Sequence, residues 1–186
     1  MTMLRRGLLG DRAIALSGEV PGEIADALAT LGARLEPLDP GLDEERANGW
    51  AGEAAPLHGL VYCASGAFRA GGVAGLDAAL EQAWVAVRAV ATGAMIPAGG
   101  GKLVLIGPPP DAGPLAGAAR AGLENLARTL SVEWARHSIT AAAVAPGPGT
   151  TTAELAELVC FLVSPAGDYL SGCVFELGGL GGTTES

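Results

Sequence analysis

Aromatic residues are scarce: three Trp, two Tyr and three Phe make up 4% of the 186-residue chain. A core with so few rings must be built from Ala, Leu and Val, with close backbone approaches at the 29 glycines. Positive charge is scarce too. Eleven Lys and Arg face 20 Asp and Glu, leaving a net charge of -9, and such a chain has no basic footprint with which to neutralise phosphates. Nucleic acid and anionic membrane surfaces are therefore excluded as partners. The three cysteines, Cys63, Cys160 and Cys173, lie far apart in apolar runs, so they suggest neither a disulfide framework nor a zinc site and read as reduced core thiols. The two histidines, His58 and His137, are also far apart. No apolar run reaches the ~18 residues of a membrane span. The opening MTMLRRGLLG is basic, but its apolar stretch stops at Asp11 and Arg12, too short for a signal-peptide core. The expectation is an acidic, soluble, cytoplasmic protein.

What is present is an alternation. The length predicts one domain over residues 1–186, with 1–11 and 180–186 as flexible tails. Ala13 to Leu16 reads as a strand, Gly22 to Leu31 as a helix stopped by Gly32, and Arg34 to Leu38 as a second strand. Asp39 to Leu57 is polar and reads as a connection with at most one helical turn. Its acidic cluster Asp43-Glu44-Glu45 is a solvated turn or a helix start. Leu57 to Cys63 is a buried strand. An unbroken helix is predicted over Leu76 to Ile96, with Leu80, Trp84, Val87 and Ala91 on one face.

Lys102 to Ile106 is a strand halted by Gly107 and three prolines. The strongest helical pattern runs from Pro114 to His137, with Leu123, Leu126, Leu130 and Trp134 at intervals of three and four. His137 at its end needs no site to explain it, because a cation suits a helix C-terminus. Ile139 to Ala145, Ala153 to Val163 and Cys173 to Leu177 read as strand, helix and strand, before a glycine-rich tail. Strands alternating with helices predict a Rossmann-like α/β fold: a doubly wound parallel sheet covered on both faces.

Three segments carry a resemblance to a known family. GGGKLVLIG, then AGAARAGLENLARTLSVEWARHSITAAAVAPG, then ELAELVCFLVSPAGDYLSGCVFELGG follow one another in the order of the short-chain dehydrogenase/reductases. The chain resembles that family from about Arg12 to Gly179, reduced in length. In the family a loop of the form Thr-Gly-x-x-x-Gly-x-Gly supports the cofactor's pyrophosphate at a helix N-terminus. Here that loop is Ser17-Gly18-Glu19-Val20-Pro21-Gly22-Glu23-Ile24. Gly18 and Gly22 stand in register, but Ile24 replaces the third glycine, and Glu19 and Glu23 place negative charge where phosphate would lie. Both glutamates also suit the positive end of a helix without any ligand. The family's Asn-Asn-Ala-Gly segment aligns with Tyr62-Cys63-Ala64-Ser65.

The resemblance implies a tyrosine and lysine on the active-site helix, a serine after the preceding strand and an asparagine on the helix before it. Those roles align with Ala116, Arg120, Gly107 or Pro108, and a position at or near Trp84. None supplies a group that can give or take a proton in the required place; a neighbour such as Tyr62 or Ser17 could rescue one loss, but four at once would need an unrelated mechanism. Only Pro148 to Thr152 separate Pro146-Gly147 from the next helix, where the family has a mobile segment over the substrate.

The elements that survive are those through which the family associates. The resemblance implies an interface built on Trp84, Ala118, Gly122, Leu123, Leu126, Leu130 and Trp134, with the small residues allowing close helix pairing. The expectation is a catalytically inactive subunit with no cofactor, pairing with itself or with an active paralogue. The alternative is an NAD(P)-dependent oxidoreductase, or a weak binder of NAD or NADP, with a degenerate site.

Overall fold

A computed structural model of the chain describes residues 5–178. Six strands form one sheet: β1 (Ala13–Gly18), β2 (Arg34–Leu38), β3 (Gly59–Cys63), β4 (Gly101–Ile106), β5 (Ile139–Pro146) and β6 (Cys173–Leu177). All neighbours pair in parallel, in the order β2-β1-β3-β4-β5-β6. β3 and most of β4 and β5 are buried on both faces, which is why they read as nearly continuous apolar runs rather than alternating ones. The expected doubly wound α/β sheet is present.

The helices are α1 (Gly22–Thr30), α2 (Glu44–Ala54), the short α3 (Ser65–Phe68), α4 (Gly72–Val90), the single turn α5 (Ile96–Ala98), α6 (Ala116–Glu133) and α7 (Thr152–Val163). One face of the sheet packs Leu60, Tyr62, Leu103 and Leu105 against α2, α4 and α6. The other packs Ile14, Val61, Val104 and Val144 against α1 and α7. Strand order reverses between β1 and β3, and in such sheets the crevice outside the carboxyl ends at that point is where ligands bind.

Several expectations need correction. The polar stretch after Asp39 holds an eleven-residue helix, α2. The Asp43 carboxylate accepts the Arg46 N–H at 2.9 Å and caps it, and Ala47 and Ala51 are its buried residues. The long helix α4 begins at Gly72, not Leu76, and is not unbroken. Residues Ala91–Met95 wind as a π turn, which brings Gly93 against Ala51 of α2: a Cβ at Gly93 would lie 3.0 Å from the Ala51 methyl.

The buried face of α4 is made of Ala79, Ala83, Ala86, Val87 and Val90, whereas Trp84 is 41% exposed. α6 is shorter than the predicted Pro114 to His137; Trp134 caps it and Ala135–His137 form a 3-10 turn. The expected tail 1–11 is in part core, because Leu9 is fully buried and its N–H donates to the Leu31 carbonyl at 2.9 Å. The predicted tail 180–186 lies outside the described residues.

The β2 edge is blunted by composition. Pro37 offers no N–H, and Arg34 pairs with Glu36 along the strand, both of which discourage pairing with another chain. No helix among the described residues is long and apolar enough to cross a membrane.

Candidate functional site at the carboxyl end of the sheet

The crevice begins where β1 ends. Gly18 adopts φ +74°, and a Cβ there would collide with the Cys63 carbonyl oxygen, so only glycine fits this turn. The chain then enters α1, whose N-terminus is not capped by any side chain and therefore leaves donors facing outward. These two features suit an anion.

Two others oppose it. The Glu19 carboxylate pairs with the Arg69 guanidinium, just beyond α3, which holds the Glu19 carboxyl below and Arg69 above their ordinary values. Ile24 is fully buried in the cluster beneath α1, where its side chain serves the core. As arranged, the loop presents a carboxylate where a dinucleotide's pyrophosphate needs donors, so the residues do not fit that group. Gly22 opens α1 and a Cβ there would meet nothing within 4 Å, so its lack of a side chain is not what shapes the crevice.

The two hydroxyls considered as stand-ins, Tyr62 and Ser17, are both buried. Tyr62 is fully buried, its hydroxyl donates to the Ala79 carbonyl at 2.9 Å, and burial pushes its pKa well above the ordinary value. Ser17 is buried as well, and its hydroxyl has no hydrogen-bond partner among the described residues. Cys63 is equally inert: burial raises its pKa, outweighing its contact with the Ser65 hydroxyl at 3.6 Å.

Beyond β4 the structure brings Gly107 and Arg120 together. The Gly107 N–H donates to the Val144 carbonyl at 2.9 Å, and a Cβ at 107 would lie 3.0 Å from the Arg120 Cγ. A serine at 107 would press on the arginine stem. Pro108 is buried, and Ala116, the first residue of α6, is 1% exposed, so the position that the resemblance aligns with a tyrosine is closed over by its neighbours.

The hollow beside Arg120 is about 350 Å³ and is shared with Glu124 and Glu176; none of its lining residues carries a hydroxyl, thiol or imidazole. It can attract or repel charge through Arg120, Glu124 and Glu176. Trp84 does not join this cluster. It lies one turn past Leu80, the α4 residue that meets α6 at Gly122.

The short β5–α7 connection is tied down. Thr150 Oγ accepts the Gly147 N–H at 2.9 Å and donates to the Leu177 carbonyl at 2.9 Å. Thr151 then caps α7 in a reciprocal arrangement with Glu154.

The residues expected at a subunit interface divide. Leu123 and Leu130 are 1% exposed within the chain's own core, and the space at Gly122 is filled by Leu80 of the same chain. The pattern of these three serves packing within the chain. Trp84 and Ala118 are exposed, and Leu126 and Trp134 are partly so.

The Glu19–Arg69 pair itself escaped sequence reading. Its members are fifty residues apart, and Arg69 stands in a small-residue loop with no periodic signal.

No protein-family model and no curated protein matches the chain. Solved structures do match its fold. A citronellol catabolism dehydrogenase of Pseudomonas aeruginosa aligns with a TM-score of 0.79 at 22% identity, covering 96% of this chain and 98% of that one. A hydroxysteroid dehydrogenase from Escherichia coli aligns at 0.76 and 19% identity, over 94% and 99%. A short-chain dehydrogenase/reductase variant of Serratia marcescens aligns at 0.74 and 20% identity, over 91% and 96%. At these identities the likeness establishes the fold that the sequence resemblance implied.

Proposed function

We propose that this chain is a non-catalytic subunit on a short-chain dehydrogenase/reductase scaffold, acting as a partner to itself or to an active paralogue. One observation carries the reading. Around the Gly107–Arg120 contact, the positions at which the family keeps its serine and tyrosine hold buried residues without a proton donor, Pro108 and Ala116. A single missing group could be replaced by a neighbour, but here Tyr62 is buried with its hydroxyl bound to the Ala79 carbonyl, and Ser17 is buried beneath the crevice. The surface for association is the exposed Trp84 and Ala118 with the partly exposed Leu126 and Trp134. Light scattering on the purified chain, alone and co-expressed with an active paralogue, tests it. A stable dimer or mixed oligomer is expected, and a monomer in both preparations overturns the reading.

A second reading has support of its own. The solved structures of like fold bear dehydrogenase names, which favours the NAD(P)-dependent alternative over inactivity, and the Gly18 turn with the uncapped α1 survives. On this reading a nucleotide displaces Glu19 from Arg69 on binding. Fluorescence titration with NADH and NADPH decides between the two. Saturable binding tighter than about 100 μM, roughly 5.5 kcal/mol, replaces the first reading with the second.

A further inference from the structure

The opposite end of the sheet carries a second concavity that the reading above does not use. It is an open cavity of about 610 Å³ at the amino ends of the strands, within the usual size range of small-molecule sites. Arg12 immediately precedes β1, His58 precedes β3 and Lys102 is the second residue of β4. Parallel pairing places the amino ends of these three strands side by side. In a chain of net charge -9, this cavity gathers two permanent cations and an imidazole against one carboxylate, Asp168.

The state of each group indicates what the cavity can hold. The Lys102 ammonium is buried and makes no directed hydrogen bond; among the described residues its one ionic contact is Asp168, at 2.5 Å, on a side chain that is itself 59% exposed. Arg12 takes part in no ion pair among the described residues. His58 Nδ1 accepts the Ala13 N–H at 3.1 Å, so in the neutral ring the hydrogen sits on Nε2, which is then a donor. Ser171 Oγ accepts the Ala141 N–H at 3.3 Å, which leaves its own hydrogen free to donate.

A simpler role for these cations is to neutralise the carbonyl ends of α6 and α7 nearby. That role would give Lys102 a carbonyl partner, and among the described residues it has none. A buried ammonium with unused donors is costly unless something supplies acceptors.

We infer that this cavity is a binding site for a small multivalent oxyanion, the phosphate or paired carboxylate head of a metabolite, held by Arg12, Lys102 and the donors of His58 and Ser171. Arg12 supplies a planar fork and Lys102 a point charge, the usual pair for such groups. The site is at the other end of the sheet from the crevice and does not depend on whether a nucleotide binds there.

The test is calorimetric titration of the full chain with inorganic phosphate and, separately, malonate, at ionic strength held constant with chloride. Saturable binding of at least one, with Kd below about 1 mM, is expected. It should weaken at least about tenfold in Arg12→Ala and in Lys102→Met, and stay unchanged in Arg46→Ala on the distant α2. Arg12 is exposed, so its variant keeps the test decisive if the lysine change impairs folding. Binding of phosphate alone assigns a phosphate monoester, and of malonate alone a dicarboxylate. No saturation by about 10 mM of either, or binding that survives both substitutions, overturns the inference.

Discussion

Leu80 of α4 occupies the space above Gly122 of α6: a Cβ at 122 would lie 2.6 Å from Leu80 Cδ2 and 2.9 Å from Cδ1. The two long helices thus meet through a knob of one and an absent side chain of the other, within a single chain. Gly122→Val should force them apart and cost about 1–3 kcal/mol. Leu80→Ala in the same chain should return part of that loss, because it vacates the contested volume. Urea unfolding of both single variants and the double variant measures the coupling; purely additive effects would show that the contact is not the cause.

The Glu19–Arg69 pair predicts a gain on removal of charge. Glu19→Gln takes a carboxylate away from the turn that follows Gly18, so any NADH affinity should rise by about fivefold, the size of one like-charge repulsion a few ångströms away in water. Fluorescence titration of wild type and variant reads this directly. Unchanged affinity would place the obstacle at Ile24 instead.

Tyr62→Phe removes only the hydroxyl that donates to the Ala79 carbonyl. A stability loss of about 0.5–1.5 kcal/mol is expected in urea unfolding. Any oxidoreductase turnover the chain shows should be untouched; a collapse of turnover would make Tyr62 the acid that its burial argues against.

His58 predicts a pH dependence of stability. Protonation takes away the acceptor of the Ala13 N–H and adds a cation beside Arg12 and Arg34, with Asp11 the opposing charge; burial acts in the same direction and is the largest cause. The folded-state pKa is therefore below the ordinary 6.5. Stability is complete above that ordinary value and is lost as pH falls through the lowered one. His58→Asn keeps an acceptor without a titration, so its urea midpoint should fall less between pH 7.5 and pH 5 (conditions on the order of one to two units either side of the transition) than the wild-type midpoint does.

Thr151 caps α7 and receives Glu154 in return. Thr151→Ala should cost about 1 kcal/mol in urea or thermal unfolding. Thr151→Ser should be close to neutral, since it keeps the accepting oxygen.

The strands were legible because each buried run ends in punctuation: Gly18 after β1, Gly32 before β2, the prolines after Ile106. What sequence could not rank was alanine. On α4 the large residues Leu80 and Trp84 suggest the inward face, yet the core takes Ala79, Ala83 and Ala86, since shallow side chains let the helix lie close to the sheet. Likewise α2 hides its packing in Ala47 and Ala51 among charged residues, although the Asp43 cap and the i, i+4 alanine spacing were there to be read. On α6, Leu123 and Leu130 carry the pattern of any core-facing stripe, and nothing in periodicity tells a sheet from a second subunit as the surface they meet.

The candidate site divides in the same way. Absences at Ala116 and Pro108 are visible in a string of letters, because a missing hydroxyl is missing in any fold. Arrangements made between strands are not: Glu19 with Arg69, and Arg12 with His58 and Lys102, come together only through the parallel register. The second group did leave one trace, in that each member stands at the start of a strand.

The turn from Gly147 to Thr151, pinned to Leu177, fixes the time regime of this end of the molecule. Among the described residues no segment lies there that could fold over a guest, so past them a guest would arrive in a single encounter and leave without an opening step. A ligand held at the crevice would be released as fast as its own contacts allow, and water would stay in contact with it throughout.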